Sequence, residues 1–296
     1  MTEIKLFGAS TLAGQYFKNN YRKYFNSFKL SSFSRSNKTD IYFDLTSSIY
    51  PKELILENKT LIISMAPIWL FVPFFKKFYK EANFKKIKGL IIVSSTSVTT
   101  KKYSWNNFDK KLYSDLSYSE KELLNLQEKH NIKITIIRPS LIYGNIGYEE
   151  DKNLSFLIRL IKATPFIPIP NETGIRQPIH YSQLVKCVIA LSKSYLNNQI
   201  NKKDELNILN IGGDEELTFE KLLSRLEENF KSKLKFRRCL LVKIPNRIFF
   251  FLFSPLIIFS PRYYAAILRI SINMGGFQPS YKIHGDNKVK FPLKTK

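Results

Sequence analysis

The sequence predicts an α/β protein built on a doubly wound parallel sheet, with a smaller carboxyl-terminal lobe. Two observations carry this. Short apolar runs of strand length alternate with helical patterns through the first half of the chain. The first of those runs, Ile4 to Phe7, ends at Gly8, and Gly14 follows where a helical pattern (Leu12, Tyr16, Phe17) begins. Strand, tight turn and helix in that order place a helix amino terminus, with unpaired N–H groups and a positive dipole end, at the tip of a strand. At 296 residues and 44% hydrophobic, the chain is long and apolar enough to bury such a core.

After the opening strand, the pattern predicts a helix over Leu12–Phe25. Strands follow near Phe28–Phe33, Ile41–Phe43, Thr60–Ser64, Gly89–Ser94 and Ile132–Ile137, with helical patterns at Ile68–Lys80 and Ser117–Lys129 between them. Crossovers between parallel strands are right-handed. From Tyr148 onward the character changes. Leu154–Ala163 reads as a helix, stopped by Pro165, Pro168 and Pro170. His180–Lys193 reads as another helix and Leu206–Ile211 as a short strand. Thr218–Phe230 reads as an amphipathic helix capped by Thr218. The division expected is a Rossmann-type core over residues 1–145 and a carboxyl-terminal, substrate-binding lobe over 146–296, whose later segments complete the sheet.

The net charge of +23 is spread along the chain rather than gathered in a block, and no nucleic-acid motif accompanies it, so no nucleic-acid partner is expected. Cys187 and Cys239 are the only cysteines, which argues against a disulfide scaffold or a cysteine-rich zinc site and fits a reducing cytoplasm. Three scattered histidines give no metal site. Lys5 interrupts the first apolar run, so no signal peptide is read there. The segment Ile248–Phe259 is almost wholly apolar, split by Ser254–Pro255 and flanked by Lys243, Arg247 and Arg262. It is too short to span a bilayer. The expectation is a buried or lobe-covering helix; the alternative is a peripheral membrane contact through residues 245–262, which would make a cytoplasmic protein membrane-associated.

Eight short stretches carry chemistry. The first is the turn Gly8-Ala9-Ser10-Thr11-Leu12-Ala13-Gly14, in which residues without bulky side chains let backbone approach a pyrophosphate; Thr11 stands where a middle glycine is usual. Arg35 follows the second strand, where an acidic residue would select NAD and a guanidinium pairs instead with a 2′-phosphate, favouring NADP. Asp44-Leu45 follows the third strand, and Ser64-Met65-Ala66-Pro67 ends the fourth. Val93-Ser94-Ser95-Thr96-Ser97-Val98 ends the fifth. Arg138-Pro139-Ser140-Leu141-Ile142-Tyr143-Gly144 ends the sixth. Gly174-Ile175-Arg176-Gln177-Pro178-Ile179-His180 and Asn210-Ile211-Gly212-Gly213 lie in the second half.

In this order the stretches resemble the extended short-chain dehydrogenase/reductase superfamily, in its NAD-dependent epimerase/dehydratase group acting on nucleotide sugars. The resemblance runs from residue 2 to about residue 230. It implies a cofactor, NADP or NAD, over Gly8, Ser10, Thr11, Leu12 and Gly14. Arg35, Asp44, Leu45, Ser64, Ala66, Pro67, Ser94 and Pro139 would complete that site. It places the catalytic hydroxyl at Ser95 and a diphosphate-gripping arginine at Arg176, with Asn153 as a further substrate contact. The resemblance fails at two points. The superfamily's Tyr-x-x-x-Lys pair would fall on Leu112 and Leu116, counting from Glu120, which stands eighteen residues before Arg138. Tyr113 is the neighbouring candidate for proton transfer, with Tyr118 as the alternative; the string Tyr148 to Lys152 lies beyond the sixth strand. Gln183 stands where relatives carry an aspartate. The function implied is hydride transfer on a nucleotide-activated sugar by an oxidoreductase or epimerase. The alternative is a catalytically degenerate dinucleotide-binding protein serving as a membrane- or complex-associated scaffold or sensor. A homodimer is compatible with either.

Overall fold

Eight parallel strands form one sheet in the order β3-β2-β1-β4-β5-β6-β7-β8. They are β1 (Glu3–Phe7), β2 (Lys29–Ser34), β3 (Ile41–Tyr42), β4 (Thr60–Ser64), β5 (Ile87–Val93), β6 (Ile134–Pro139), β7 (Ile208–Gly212) and β8 (Gln278–Pro279). The computed structural model describes residues 2–36, 41–146, 149–197, 208–231 and 239–293. The order reverses at β1: the chain runs outward through β2 and β3, then returns to the other side of β1 at β4. The carboxyl ends of β1 and β4 therefore flank a switch point, the place where open α/β sheets bind ligands.

Both faces of the sheet are covered, which is why its central strands read as continuous apolar runs. Along β4, Ile62 packs on one side; Leu61 and Ile63 pack on the other. Helices α2 (Ile68–Phe78) and α3 (Asn107–His130) cover the first face, and α1 (Leu12–Tyr24) and α5 (Tyr181–Leu196) the second. Beneath α2 the rings of Phe7 and Phe33 stack with centroids 4.9 Å apart, and Phe43 meets Phe74 at 5.1 Å. Lys5, in the middle of β1, is buried. It pairs with Glu3 at 3.2 Å and donates to the Glu53 carbonyl, so the charge that breaks the apolar run is answered inside the fold.

The second half packs α4 (Lys152–Ala163) and α6 (Phe219–Lys231) over a parallel pair, Phe166–Pro170 with Leu240–Ile244. Leu154, Ile161, Ile169, Leu222 and Leu226 form its core. Helices α7 (Asn246–Leu252), α8 (Leu256–Phe259) and α9 (Pro261–Leu268) follow. Thr218 caps α6, accepting from the Lys221 N–H at 3.2 Å.

Three expectations need correction. The third helix starts at Asn107 rather than Ser117, because Asn106 caps it by accepting from the Asp109 N–H at 2.9 Å. The sixth strand runs Ile134–Pro139 rather than Ile132–Ile137. Asn131, left-handed at φ +52°, ends the helix, and pairing with β5 begins only at Leu90–Ile134. The segment Ile248–Phe259 is not buried: of α7 and α8 only Phe249 is inside, and Phe251, Ile258 and Phe259 stand about 80% exposed. Leu206 and Tyr148 lie outside the described residues.

Candidate functional site

The turn after β1 is built for close backbone approach. Gly8 is left-handed at φ +75°, and a Cβ there would sit 2.4 Å from the Ala66 nitrogen at the tip of β4. A Cβ on Gly14 would sit 2.2 Å from the Gly8 carbonyl oxygen. Thr11, at the middle position, turns its hydroxyl into the turn. It donates to the Gly8 carbonyl at 2.9 Å and accepts from the Gly14 N–H at 3.1 Å as the cap of α1. Gln15 fastens the loop from the helix side by donating to the Ser10 carbonyl at 2.8 Å. Among the described residues no acceptor takes the amides of Leu12 and Ala13, so the first turn of α1 keeps free donors beside its positive dipole end.

Around this cradle, Ser64 ends β4 fully buried, and among the described residues its hydroxyl has no hydrogen-bond partner. An orphaned buried hydroxyl beside a glycine cradle suits a polar ligand group. Arg35 lies exposed past β2, close enough to Asp44 that its charge helps hold that carboxyl below the usual carboxylate range; the larger cause is hydrogen bonding from Thr46. Asp44 accepts from both the N–H and the hydroxyl of Thr46 at 2.8 Å, and Leu45 packs half-buried against the sheet core. Ala66 is buried; Pro67 leads into α2. The chemistry of these residues fits a dinucleotide.

The ends of β5 and β6 are locked together. The Ser94 N–H donates to the Ile137 carbonyl at 2.7 Å, and Thr96 donates to the Pro139 carbonyl through its N–H at 3.1 Å and its hydroxyl at 3.2 Å. Ser94 also donates to Glu120, which is buried and gripped by Arg138 through Nε at 3.0 Å. Between these anchors Ser95 is half-buried, and its Oγ accepts from the Ser97 N–H at 3.1 Å. That bond leaves the hydroxyl proton of Ser95 available to a ligand. On α3, Leu116 is buried in the apolar cluster and Leu112 packs against it, while Tyr113 stands half-buried beside them.

A cavity of about 370 Å³ opens between the two halves, lined by Thr99, Thr100, Arg269, Ile272, Met274 and Phe277. Thr99 and Thr100 lie four and five residues after Ser95, so the cavity adjoins the segment that leaves the end of β5. Its far wall is tied down by Arg176, which is buried and donates to the carbonyls of Ile175 at 2.8 Å, Ile272 at 2.7 Å and Arg269. Among the described residues it has no carboxylate partner. Burial, with the charge of Arg269 beside it, pulls its guanidinium down to about 10. Arg269 itself reaches the start of α3 and donates to Asp109 at 2.7 Å. Asp109 is fully buried and also takes Lys101 at 2.5 Å and Asn106 at 2.9 Å; these partners hold its carboxyl well below the usual range against the cost of burial.

This four-residue cluster escapes a motif search, although Asn106 three residues before Asp109 is a readable capping signal. Asn153 lies in the first turn of α4, its side chain outside the described residues. His180 and Gln183 form a reciprocal cap on α5. The His180 ring accepts from the Ser182 N–H at 3.3 Å and Gln183 accepts from the His180 N–H at 3.0 Å, which accounts for glutamine at position 183.

No protein-family model and no curated protein matches the chain. Solved structures do match. The UDP-glucuronic acid 4-epimerase of Bacillus cereus, in complex with NAD, superposes with a TM-score of 0.63 at 12% identity, over 97% of this chain and 94% of its own. The UDP-N-acetylglucosamine 4-epimerase of the same organism gives 0.58 at 13%, over 98% and 99%. The dTDP-glucose 4,6-dehydratase of Bacillus anthracis, in complex with NAD, gives 0.56 at 15%, over 83% and 86%. The chain has their fold. The doubly wound parallel sheet expected from the motif order is the one observed.

Proposed function

We propose that the protein is a nicotinamide-dinucleotide-dependent oxidoreductase or epimerase acting on a nucleotide-activated sugar. The observation that carries this reading is the glycine cradle at the switch point, with the free amides of Leu12 and Ala13 at its rim. The solved epimerase and dehydratase of the same fold that are complexed with NAD support the cofactor class. Gly8, Ser10, Thr11, Leu12 and Gly14 would hold the pyrophosphate, and Asp44, Leu45, Ser64, Ala66, Pro67, Ser94 and Pro139 would complete the dinucleotide site. The preference for NADP over NAD rests on Arg35 alone.

When bound, the dinucleotide supplies a hydride acceptor and donor. The chain's residues position and protonate. Ser95 donates its hydroxyl proton in a hydrogen bond to the reacting substrate oxygen. Tyr113 moves the proton at that oxygen, because leucines at 112 and 116 have no proton to move. Arg176 has five N–H donors, three of them placed on carbonyls, so it keeps donors for a diphosphate while fixing the wall that carries Arg269. Asn153 completes the substrate contacts.

The test is a fluorescence titration of the purified chain with NADPH and NADH, followed by turnover of UDP-sugars. We expect saturable binding. Arg35→Ala is expected to weaken NADPH by about tenfold and leave NADH unchanged, from the loss of one charge-assisted contact. Ser95→Ala is expected to cut turnover by about tenfold or more at unchanged cofactor affinity. Binding of neither dinucleotide removes the reading; unchanged turnover removes Ser95 from it.

A further inference from the structure

The outward-facing apolar residues of α7 and α8 are not a frayed end. Phe251, Ile258 and Phe259 are each about 80% exposed. A distant segment packs on the next helix, α9: the loop before α3 sets Trp105 against Tyr264 with centroids 6.4 Å apart, and Phe108 lies under the Arg262 guanidinium at 3.9 Å. Trp105 and Phe108 are themselves partly exposed. Large apolar side chains left exposed on consecutive helices of a folded chain present a contact surface.

Charge says what contacts it. From Asn229 to Gly285 the sequence contains no aspartate or glutamate, and Arg247 and Arg262 lie exposed beside the apolar helices, while Lys243, also exposed, pairs with Glu220 at 3.0 Å. Phenylalanine, isoleucine and leucine on short helices, with tryptophan, tyrosine and arginine at their edge, is the composition of a surface that settles into the headgroup layer. The helices are seven and four residues long, broken at Ser254–Pro255. No helix among the described residues is long and apolar enough to cross a membrane. A second copy of this chain is a poor occupant, because it would bring the same cations against these, on a molecule of net charge +23. We propose that this face, centred on α7 and α8, docks the protein on an anionic lipid bilayer, with the phenylalanines among the acyl chains and the arginines on the headgroups. This holds whether or not the cofactor reading does.

The test is co-sedimentation of the full chain with phosphatidylglycerol–phosphatidylcholine vesicles and with pure phosphatidylcholine vesicles. Pelleting is expected on the first, falling as salt is raised, and not on the second. The triple variant Phe251→Ser, Ile258→Ser, Phe259→Ser is expected to stay in the supernatant. Arg247→Gln with Arg262→Gln is expected to weaken binding by about thirtyfold, from two lost headgroup contacts. Both variants are expected to keep the circular dichroism spectrum of the parent, since the altered side chains are exposed. The proposal is overturned if the parent does not pellet on anionic vesicles, if it pellets equally on both kinds, or if the folded triple variant pellets like the parent. A dimer that dissociates in the triple variant, with no vesicle binding by the parent, would assign the face to a second copy instead.

Discussion

Helix α2, Ile-Trp-Leu-Phe-Val-Pro-Phe-Phe-Lys-Lys-Phe, and helix α7, Asn-Arg-Ile-Phe-Phe-Phe-Leu, draw on the same residues. Yet α2 buries Ile68, Phe71, Val72, Phe74 and Phe75, whereas α7 buries Phe249 alone. Composition does not separate them; their neighbours do. Under α2 the sheet presents Phe7, Phe33 and Phe43, and the helix closes over them. Under α7 lies the edge pair Phe166–Pro170 and Leu240–Ile244, which leaves Phe166, Leu240 and Val242 exposed as well. An apolar helix states a need for a partner. In the first half the fold meets that need from within, and in the second half it leaves the need facing outward.

The sharpest way to break this comparison is to truncate one phenylalanine in each helix. Phe71→Ala is expected to cost about 3–5 kcal/mol in urea unfolding, the usual price of a buried ring lost to a cavity. Phe251→Ala is expected to shift stability by less than about 0.5 kcal/mol, as exposed positions do. If the two cost the same, α7 is packed in solution and the docking face does not exist.

A second contrast concerns charge between the halves. Asp109 of the first half is fully buried and takes Arg269 of the second. Asp109→Asn leaves two cations without their carboxylate and is expected to cost about 3 kcal/mol at neutral pH. The sign of its pH dependence follows from its lowered pKa. The carboxyl stays ionised in the fold at a pH where the unfolded chain, near 3.8, takes up a proton. Its contribution is therefore complete above that value and drains away as acid is added below it. Acid unfolding of Asp109→Asn, followed by circular dichroism, should lack that part of the slope.

Most of the sheet was legible because strands buried on both faces are continuous apolar runs: Thr60–Ser64 was read at its observed limits, and the glycine turn came with its strand and helix in order. The start of α3 was not, since its first turns carry Asn107, Asp109, Lys110 and Lys111, whose polarity hides the periodicity that Leu112 and Leu116 begin. The exposure of Ile248–Phe259 was illegible for a different reason. Hydropathy measures the preference of a segment, and only the arrangement of other segments decides whether that preference is met inside the chain. The cavity wall was hidden likewise. Arg176 was picked out by its motif, but its grip on Arg269 and Ile272 joins residues more than ninety apart in sequence.

The smallest effect tests the cradle itself. Thr11 stands in place of a glycine, and the structure gives the reason: its hydroxyl caps α1 at Gly14 and ties back to Gly8. Thr11→Ala loses the cap and is expected to cost about 1 kcal/mol; Thr11→Gly, at a position where glycine also caps, is expected to cost only a few tenths. Both substitutions free the Gly14 N–H to join those of Leu12 and Ala13, and glycine alone also clears the Cβ from the turn, so NADH affinity measured by fluorescence is expected to rise in both, more in Thr11→Gly, while stability falls least there. A fall in affinity would mean that the threonine hydroxyl, rather than the helix amides, meets the pyrophosphate, and that the turn of the first half, like the face of the second, is finished by what binds it.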